Sequence, residues 1–161
     1  MSDQSARAIA AVEALGLDHV VTRHGPVTSL AEAAAARGIE PRQIVKTLVV
    51  RVSDDDYRFV LVPGDREIAW PKLRALVGVN RISMPSAETA YDVTGYVRGT
   101  ITPLGSLAPL PVIADASIEG RVSIGGGAYG VAITVDSEQL LPALGATVAD
   151  VADVAEPAQA Q

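Results

Sequence analysis

The stretch IVKTLVVRV, residues 44–52, followed by SDDD, residues 53–56, and YRFVLVPG, residues 57–64, decides how this chain folds. Two β-branched, apolar runs flank a short acidic tetrapeptide. The first run reads as a buried strand, the acidic residues as a solvated turn, and the second run as the hairpin partner. Asp54, Asp55 and Asp56 are better explained by that turn than by a metal site. One residue does not fit a buried strand, and that is Lys46. The chain has two lysines, Lys46 and Lys72, against eleven arginines. A generic positive charge is written as Arg here, so the lysine at 46 points to chemistry or shape. Its bland reading is a stem packed on apolar surface with the amine reaching water. Its sharper reading is an amine at the floor of a pocket, where partial burial lowers its pKa and strengthens its electrostatic contacts.

Upstream of the hairpin, SARAIAAVEALG predicts an amphipathic helix closed by Gly16, and DHVVTRH a short strand. In SLAEAAAARG, Ser29 and Glu32 have capping-box spacing and Gly38 ends the helix. Pro41 begins one helical turn. Downstream, PKLRALVG predicts a short helix, NRISM a short strand, and SAETAYDVTG a helix ending near Gly95. GYVRGTITPLGSLAPLP carries too many breakers for a regular element and predicts an ordered loop or bent strand. VIADASI, RVSIGGG and YGVAITV follow as strands. DSEQLLPALG is a last helix, with Asp136 as N-cap and Gln139 at the capping-box position. ATVADVAD is a short strand or coil. Strands and helices mix without strict alternation, which predicts an α+β fold with a mixed or antiparallel sheet, not a doubly wound one. Length and the absence of a linker predict one domain over residues 1–155, with a disordered Ala/Gln/Pro-rich tail at 156–161.

Composition narrows the function. There is no cysteine, which excludes thiol nucleophiles and thiolate metal sites. With two histidines, His19 and His24, a histidine-rich metal centre is not expected, and no cofactor is implied. Six aromatic residues argue against a broad base-stacking surface. A net charge of −6 argues against gripping a long nucleic-acid backbone, while leaving room for a local basic pocket at the tip of one. The first residues lack a signal-peptide pattern and no apolar run reaches membrane-spanning length, so a cytoplasmic protein without a membrane partner is expected.

Besides Lys46, two glycine-bearing stretches are candidate sites. GYVRGTITPLG, residues 95–105, exposes backbone amides that can hold an oxygen-rich ligand. GGGAYG, residues 125–130, lacks the lysine of a phosphate loop and leads into a strand, so a bulge or a close backbone approach fits better than nucleotide binding. His24, before Gly25-Pro26, is a turn residue or a general base. No Ser/His/Asp constellation is present.

In this order and spacing, the pieces resemble the YbaK/EbsC family, bacterial aminoacyl-tRNA deacylases related to the editing domain of prolyl-tRNA synthetase. The resemblance runs from about Ala8 to Asp153 and is carried by four stretches: PRQIVKTLVV, GYVRGTITPLG with Gly99 and Pro103 at the G-x-x-x-P positions, LPVIAD, and GGGAYGVAI. It implies a mixed, partly barrel-like β-sheet surrounded by helices, and a free-standing enzyme that hydrolyses the ester joining a wrong amino acid to the terminal adenosine of tRNA. Lys46 is then the essential lysine. Gly99, Thr100, Ile101, Thr102 and Pro103, with Gly125, Gly126, Gly127 and His24, are the implied substrate-binding residues. The implied partners are a tRNA acceptor end, carrying Cys or Ala on tRNA(Pro), and prolyl-tRNA synthetase. The chain departs from the family where it has Gly125 for a common serine, Ala128 and Tyr129 for basic residues, Gln139 for a carboxylate, and Val20 or Val21 for an aromatic. Two other readings share the fold: an inactive binding module, and a hydrolase of small esters.

Overall fold

The computed structural model describes residues 3–155. The central hairpin forms as the sequence predicts. Strand β2 (Ile44–Ser53) pairs antiparallel with β3 (Asp56–Pro63) around Asp54 and Asp55, and Asp55 turns the chain with a φ of 61°. Alternation along these strands divides the core into two. Val45, Val49, Phe59 and Leu61 face one cluster, covered by Ala8 and Val12 of helix α1 (Asp3–Ala14), Ala90 of α4 (Ala87–Thr94) and Leu140 of α5 (Ser137–Ala143). Leu48, Val50, Val60 and Val62 face the other cluster, covered by Leu73 of α3 (Trp70–Val77) and by Val151 and Ala152. Burying each of the larger side chains stabilises the fold by roughly 1.5–3 kcal/mol.

Around the hairpin, the sheet runs β1-β7-β6-β2-β3-β5-β8. The added strands are β1 (His19–Arg23), β5 (Val112–Asp115), β6 (Arg121–Gly125), β7 (Val131–Asp136) and β8 (Thr147–Ala149). The pairs β1/β7 and β6/β7 are antiparallel, while β2/β6, β3/β5 and β5/β8 are parallel. The sheet is therefore mixed, as expected, and its pairing leaves β1 and β8 as edges instead of closing a barrel.

Local signals behave as their chemistry requires. Ser29 caps α2 (Leu30–Arg37) by accepting from the Glu32 amide at 3.1 Å, and Gly38 closes it in the left-handed region. The Glu32 carboxylate completes only half of the expected box, because it accepts from the Thr28 hydroxyl at 2.7 Å. Pro41–Gln43 form a single 3-10 turn. Asp136 caps α5 by accepting from the Glu138 amide at 2.9 Å, one residue before the expected Gln139.

Three readings need correction. NRISM is not a strand; only Ser83 bridges Arg51, because its neighbours have no second strand to continue the ladder. Arg66–Ile68, β4, is a strand that the sequence reading left out, and it pairs with β9 (Ala152–Val154) in a small second sheet. ATVADVAD holds both β8 and β9, separated at Asp150-Val151. The expected disordered tail at 156–161 lies outside the described residues.

Candidate active site

The parallel pairing of β2 with β6 is short. It ends at Val45–Ile124, where β6 reaches Gly125. At the far end of the same edge, Arg51 and Ser83 exchange two backbone hydrogen bonds of 2.7 and 3.1 Å. Between these two points, the edge of β2 has no strand partner among the described residues. Backbone groups alternate sides along a strand, so those of Thr47 and Val49 face the same edge as those of Val45 and Arg51. A cavity of about 390 Å³ opens there. Its walls include β2 from Ile44 to Val49, Arg98, Gly99 and Ile101 from the long loop, Gly125, and Arg37 from the last turn of α2.

Lys46 lines this cavity together with Gly99 and Ile101. Strand parity places its side chain with Leu48 and Val50 on the face of the second core cluster. The half-buried ammonium donates to the carbonyl of Arg66 at 2.6 Å. Burial holds its pKa below the usual lysine value, while the carboxylates of Glu67 and Asp65 act in the opposite direction. A lysine in this position is a compact cation on a four-carbon stem, and its observed partner, the Arg66 carbonyl, is not among the residues that line the cavity.

The glycine-bearing stretches divide in their roles. Gly99 adopts a φ of 93°, which L side chains rarely adopt. Gly125 sits where a Cβ would come within 3.3 Å of the Ile101 carbonyl oxygen, so a side chain there would need that oxygen to shift by a few tenths of an ångström. Thr100 and Thr102 are buried and hold the loop. The Thr100 hydroxyl donates to the Val97 carbonyl at 2.7 Å, and the Thr102 hydroxyl accepts from the Leu104 amide at 3.2 Å. Pro103, Gly126 and Gly127 do not line the cavity. Gly126 packs on Val131, and Gly127 on Gln4 and Tyr96. His24 lies in a separate pocket with Pro26, Val27 and Tyr129.

Three residues that the sequence reading passed over belong to the cavity. Arg37 donates from Nη1 to the Ser123 hydroxyl at 3.2 Å, and burial pulls its pKa down although a guanidinium stays charged. Its buried Nε has no hydrogen-bond partner, and neither has the buried hydroxyl of Thr47. Buried polar atoms are normally paired, so these two stand out among the residues that line the cavity. Arg98 contributes an exposed guanidinium at the rim. Arg37, Lys46 and Arg98 thus line a cavity with no carboxylate among its described lining residues, on a protein of net charge −6, while the Lys46 ammonium itself is held by the Arg66 carbonyl and feels Glu67 and Asp65. The available signal was Arg37 itself, a cation at the end of an alanine-rich helix; its direction toward β2 depends on how α2 packs.

The family model of the aminoacyl-tRNA editing domain matches residues 24–142. Over 92 residues the chain is 35% identical to the proline--tRNA ligase of Geobacter sp. (strain M21), an alignment covering 57% of this chain and 16% of that enzyme. The proline--tRNA ligase of Thermosipho melanesiensis is 34% identical over 97 residues, covering 60% of this chain and 17% of that enzyme. The chain therefore matches only about a sixth of the length of these relatives. A crystal structure of a protein put forward as a trans-editing enzyme for prolyl tRNA synthetase superposes with a TM-score of 0.85 at 30% identity, covering 95% of this chain and 99% of that one.

Proposed function

Because the chain belongs to the aminoacyl-tRNA editing domain family, we propose that it acts in trans as a deacylase, hydrolysing the ester between a small non-cognate amino acid, such as Cys or Ala, and the terminal adenosine of tRNA(Pro). The observation that carries this reading is the cavity at the unpaired edge of β2, lined by Arg37, Lys46 and Arg98 and by the Gly99 bend. A field of that kind on an acidic body favours the phosphate-bearing tip of an acceptor stem over the length of the duplex.

In the proposed reaction, the Lys46 ammonium leaves the Arg66 carbonyl and takes the ester carbonyl or the terminal phosphate. Peptide N–H groups of the Gly99 bend and of the β2 edge supply further donors to the oxygen that becomes negative as water adds to the carbonyl carbon. The ester C–O bond then breaks, and the ribose oxygen leaves with the proton that the water gives up. An aminoacyl ester is already activated, so orientation and electrostatic support suffice without a nucleophilic side chain. The cavity must accept the ribose as well as the aminoacyl group, which favours small side chains by size. Prolyl-tRNA synthetase is the proposed partner for delivery, consistent with the relatives in which this domain is part of that enzyme.

One observation favours a second reading, a binding module without turnover: the hydrogen bond that ties the ammonium to Arg66. A panel of mischarged tRNA(Pro) species separates the two. Ester loss that disappears in Lys46→Ala, with the circular dichroism spectrum retained, supports the enzyme. Binding of the panel without ester loss supports the module.

A further inference from the structure

A second pocket, of about 410 Å³, is lined by His24, Gly25, Pro26, Val27, Tyr129 and Gly130. Tyr129 links it to the first cavity through its contacts with Arg98 and Gly99, which line that cavity. The ring is 74% exposed, more than any other large apolar or aromatic side chain among the described residues. It is nevertheless held in place: its hydroxyl donates to the Arg98 carbonyl at 3.1 Å, and its Cε1 lies 3.5 Å from where a Cβ on Gly99 would sit. An aromatic face kept in water and pinned against the bend of the first cavity offers stacking area without further ordering.

His24 supplies a polar group to the same pocket. Its backbone amide donates to the Gly130 carbonyl at 2.9 Å, and its Nδ1 lies 2.8 Å from the Gly25 carbonyl. A carbonyl only accepts, so Nδ1 carries the hydrogen, and the Nδ1–H tautomer has its lone pair on Nε2. That Nε2 is buried and has no hydrogen-bond partner. Gly130 keeps the turn this close, because a Cβ there would stand 2.4 Å from the His24 carbonyl oxygen.

We infer that this pocket binds the base of the terminal adenosine, stacked on Tyr129 with its 6-amino group donating to His24 Nε2. The inference rests on the editing reading for the identity of the nucleotide. The ribose that carries the ester belongs at the Gly99 bend, and Tyr129 is the ring packed against that bend. An acceptor nitrogen selects a base with an exocyclic amine and opposes one with a carbonyl at the same position, because two acceptors would then meet. Val27 and Pro26 supply apolar surface around the base.

The test uses the full chain with adenosine 5′-monophosphate and inosine 5′-monophosphate as probes, followed through the proton resonances of the His24 and Tyr129 rings. Adenosine monophosphate should shift both sets, and the inosine nucleotide should bind about tenfold more weakly. Tyr129→Ala should weaken adenosine monophosphate binding by about tenfold or more, given the size of base–aromatic stacking. Tyr129→Phe should rescue it, and His24→Ala should remove the preference for adenosine. With mischarged minihelices ending in adenosine or inosine, Tyr129→Ala should raise KM much more than it lowers kcat. Probe shifts at these rings without ester loss on any charged RNA would keep the pocket and overturn the editing reading. Ester loss with wild-type KM in Tyr129→Ala, and silent His24 and Tyr129 resonances, would overturn the pocket and keep the editing reading.

Discussion

The two lysines of this chain sit in opposite surroundings. Lys72, on α3, is an exposed cation whose Nζ lies 3.0 Å from both carboxylate oxygens of Asp150 and 2.9 Å from Asp153. Hydrogen bonds from Asp153 and then Asp150 raise its pKa. Lys46, on β2, is half-buried, bonds to a neutral carbonyl, and has its pKa lowered by burial. The first ammonium is satisfied by permanent counter-charges and joins α3 to the segment around β9. The second has a neutral carbonyl as its hydrogen-bond partner, with the carboxylates of Glu67 and Asp65 acting on it through space. The Lys72 pairs are solvent-exposed and contribute little beyond local charge balance, whereas the half-buried ammonium of Lys46 is shifted by its surroundings.

The contrast is sharpest in catalysis. Lys46→Ala should lower kcat/KM for deacylation by about a hundredfold or more, the scale of removing one donor to a developing oxyanion. Lys46→Arg should lose most activity as well, because charge is kept and compactness is not. If the proposed deacylation depends on the Lys46 ammonium, background-corrected activity of the wild-type protein should decline on the alkaline side below the usual lysine value of about 10.4, as the ammonium loses its proton. A single-turnover pH series checks this; wild-type rates in Lys46→Arg would reduce the residue's role to charge alone.

Next in size is Arg37→Met, which keeps the stem and removes the guanidinium. Loss of a charged hydrogen-bonding group to a bound polar ligand should lower kcat/KM by about tenfold, and loss of the donor to the buried Ser123 hydroxyl should lower thermal stability as well. An unchanged kcat/KM would place Arg37 in the structure only.

Asp115 provides a stability control on the far side of the second core cluster. Burial pushes its carboxyl up, but hydrogen bonds from the Ser117 hydroxyl, the Val151 amide at 3.0 Å and the Ser117 amide at 3.1 Å, with Arg66 nearby, outweigh it and hold the pKa below the ordinary carboxylate range. A carboxylate with a lowered folded pKa stabilises the fold above its unfolded value of about 3.9, and that contribution is lost as pH falls through the lower folded value. Asp115→Asn should cost about 1–3 kcal/mol at neutral pH, measured by urea unfolding. The gap to wild type should narrow in acid.

The smallest effect is expected at Lys72. Lys72→Ala should leave deacylation at the wild-type rate and lower thermal stability slightly, and high salt should remove that difference because the pairs are exposed. A loss of deacylation comparable with Lys46→Ala would break the contrast between the two sites.

What could be read in advance follows the range of the forces involved. The hairpin at residues 44–64, the cap at Ser29, the closing glycines Gly38 and Gly95 and the cap at Asp136 are local and strong, and each appears in the structure. NRISM and Arg66–Ile68 were misjudged because short strands depend on a distant partner: the first has only Arg51 to pair with, while the second finds β9 more than eighty residues later. The site followed the same rule. Lys46 stood out as a polar residue in an apolar run, and Gly99 as a breaker in a loop. Arg37, Thr47 and Tyr129 carry no such mark, being ordinary residues for a helix end, a strand and a turn.

The sequence alone determined the two-faced strands, the helix ends, the mixed sheet and the singular lysine, because alternation, capping and composition act over a few residues. Tertiary structure decided that β6 leaves β2 at Val45–Ile124, that Arg37 and Arg98 line the cavity at that edge, and that Tyr129 of the second pocket packs on Arg98 and Gly99. Those facts depend on which backbone hydrogen bonds are left unmade in the middle of a sheet, and that is settled only when distant segments compete for the same strand edge.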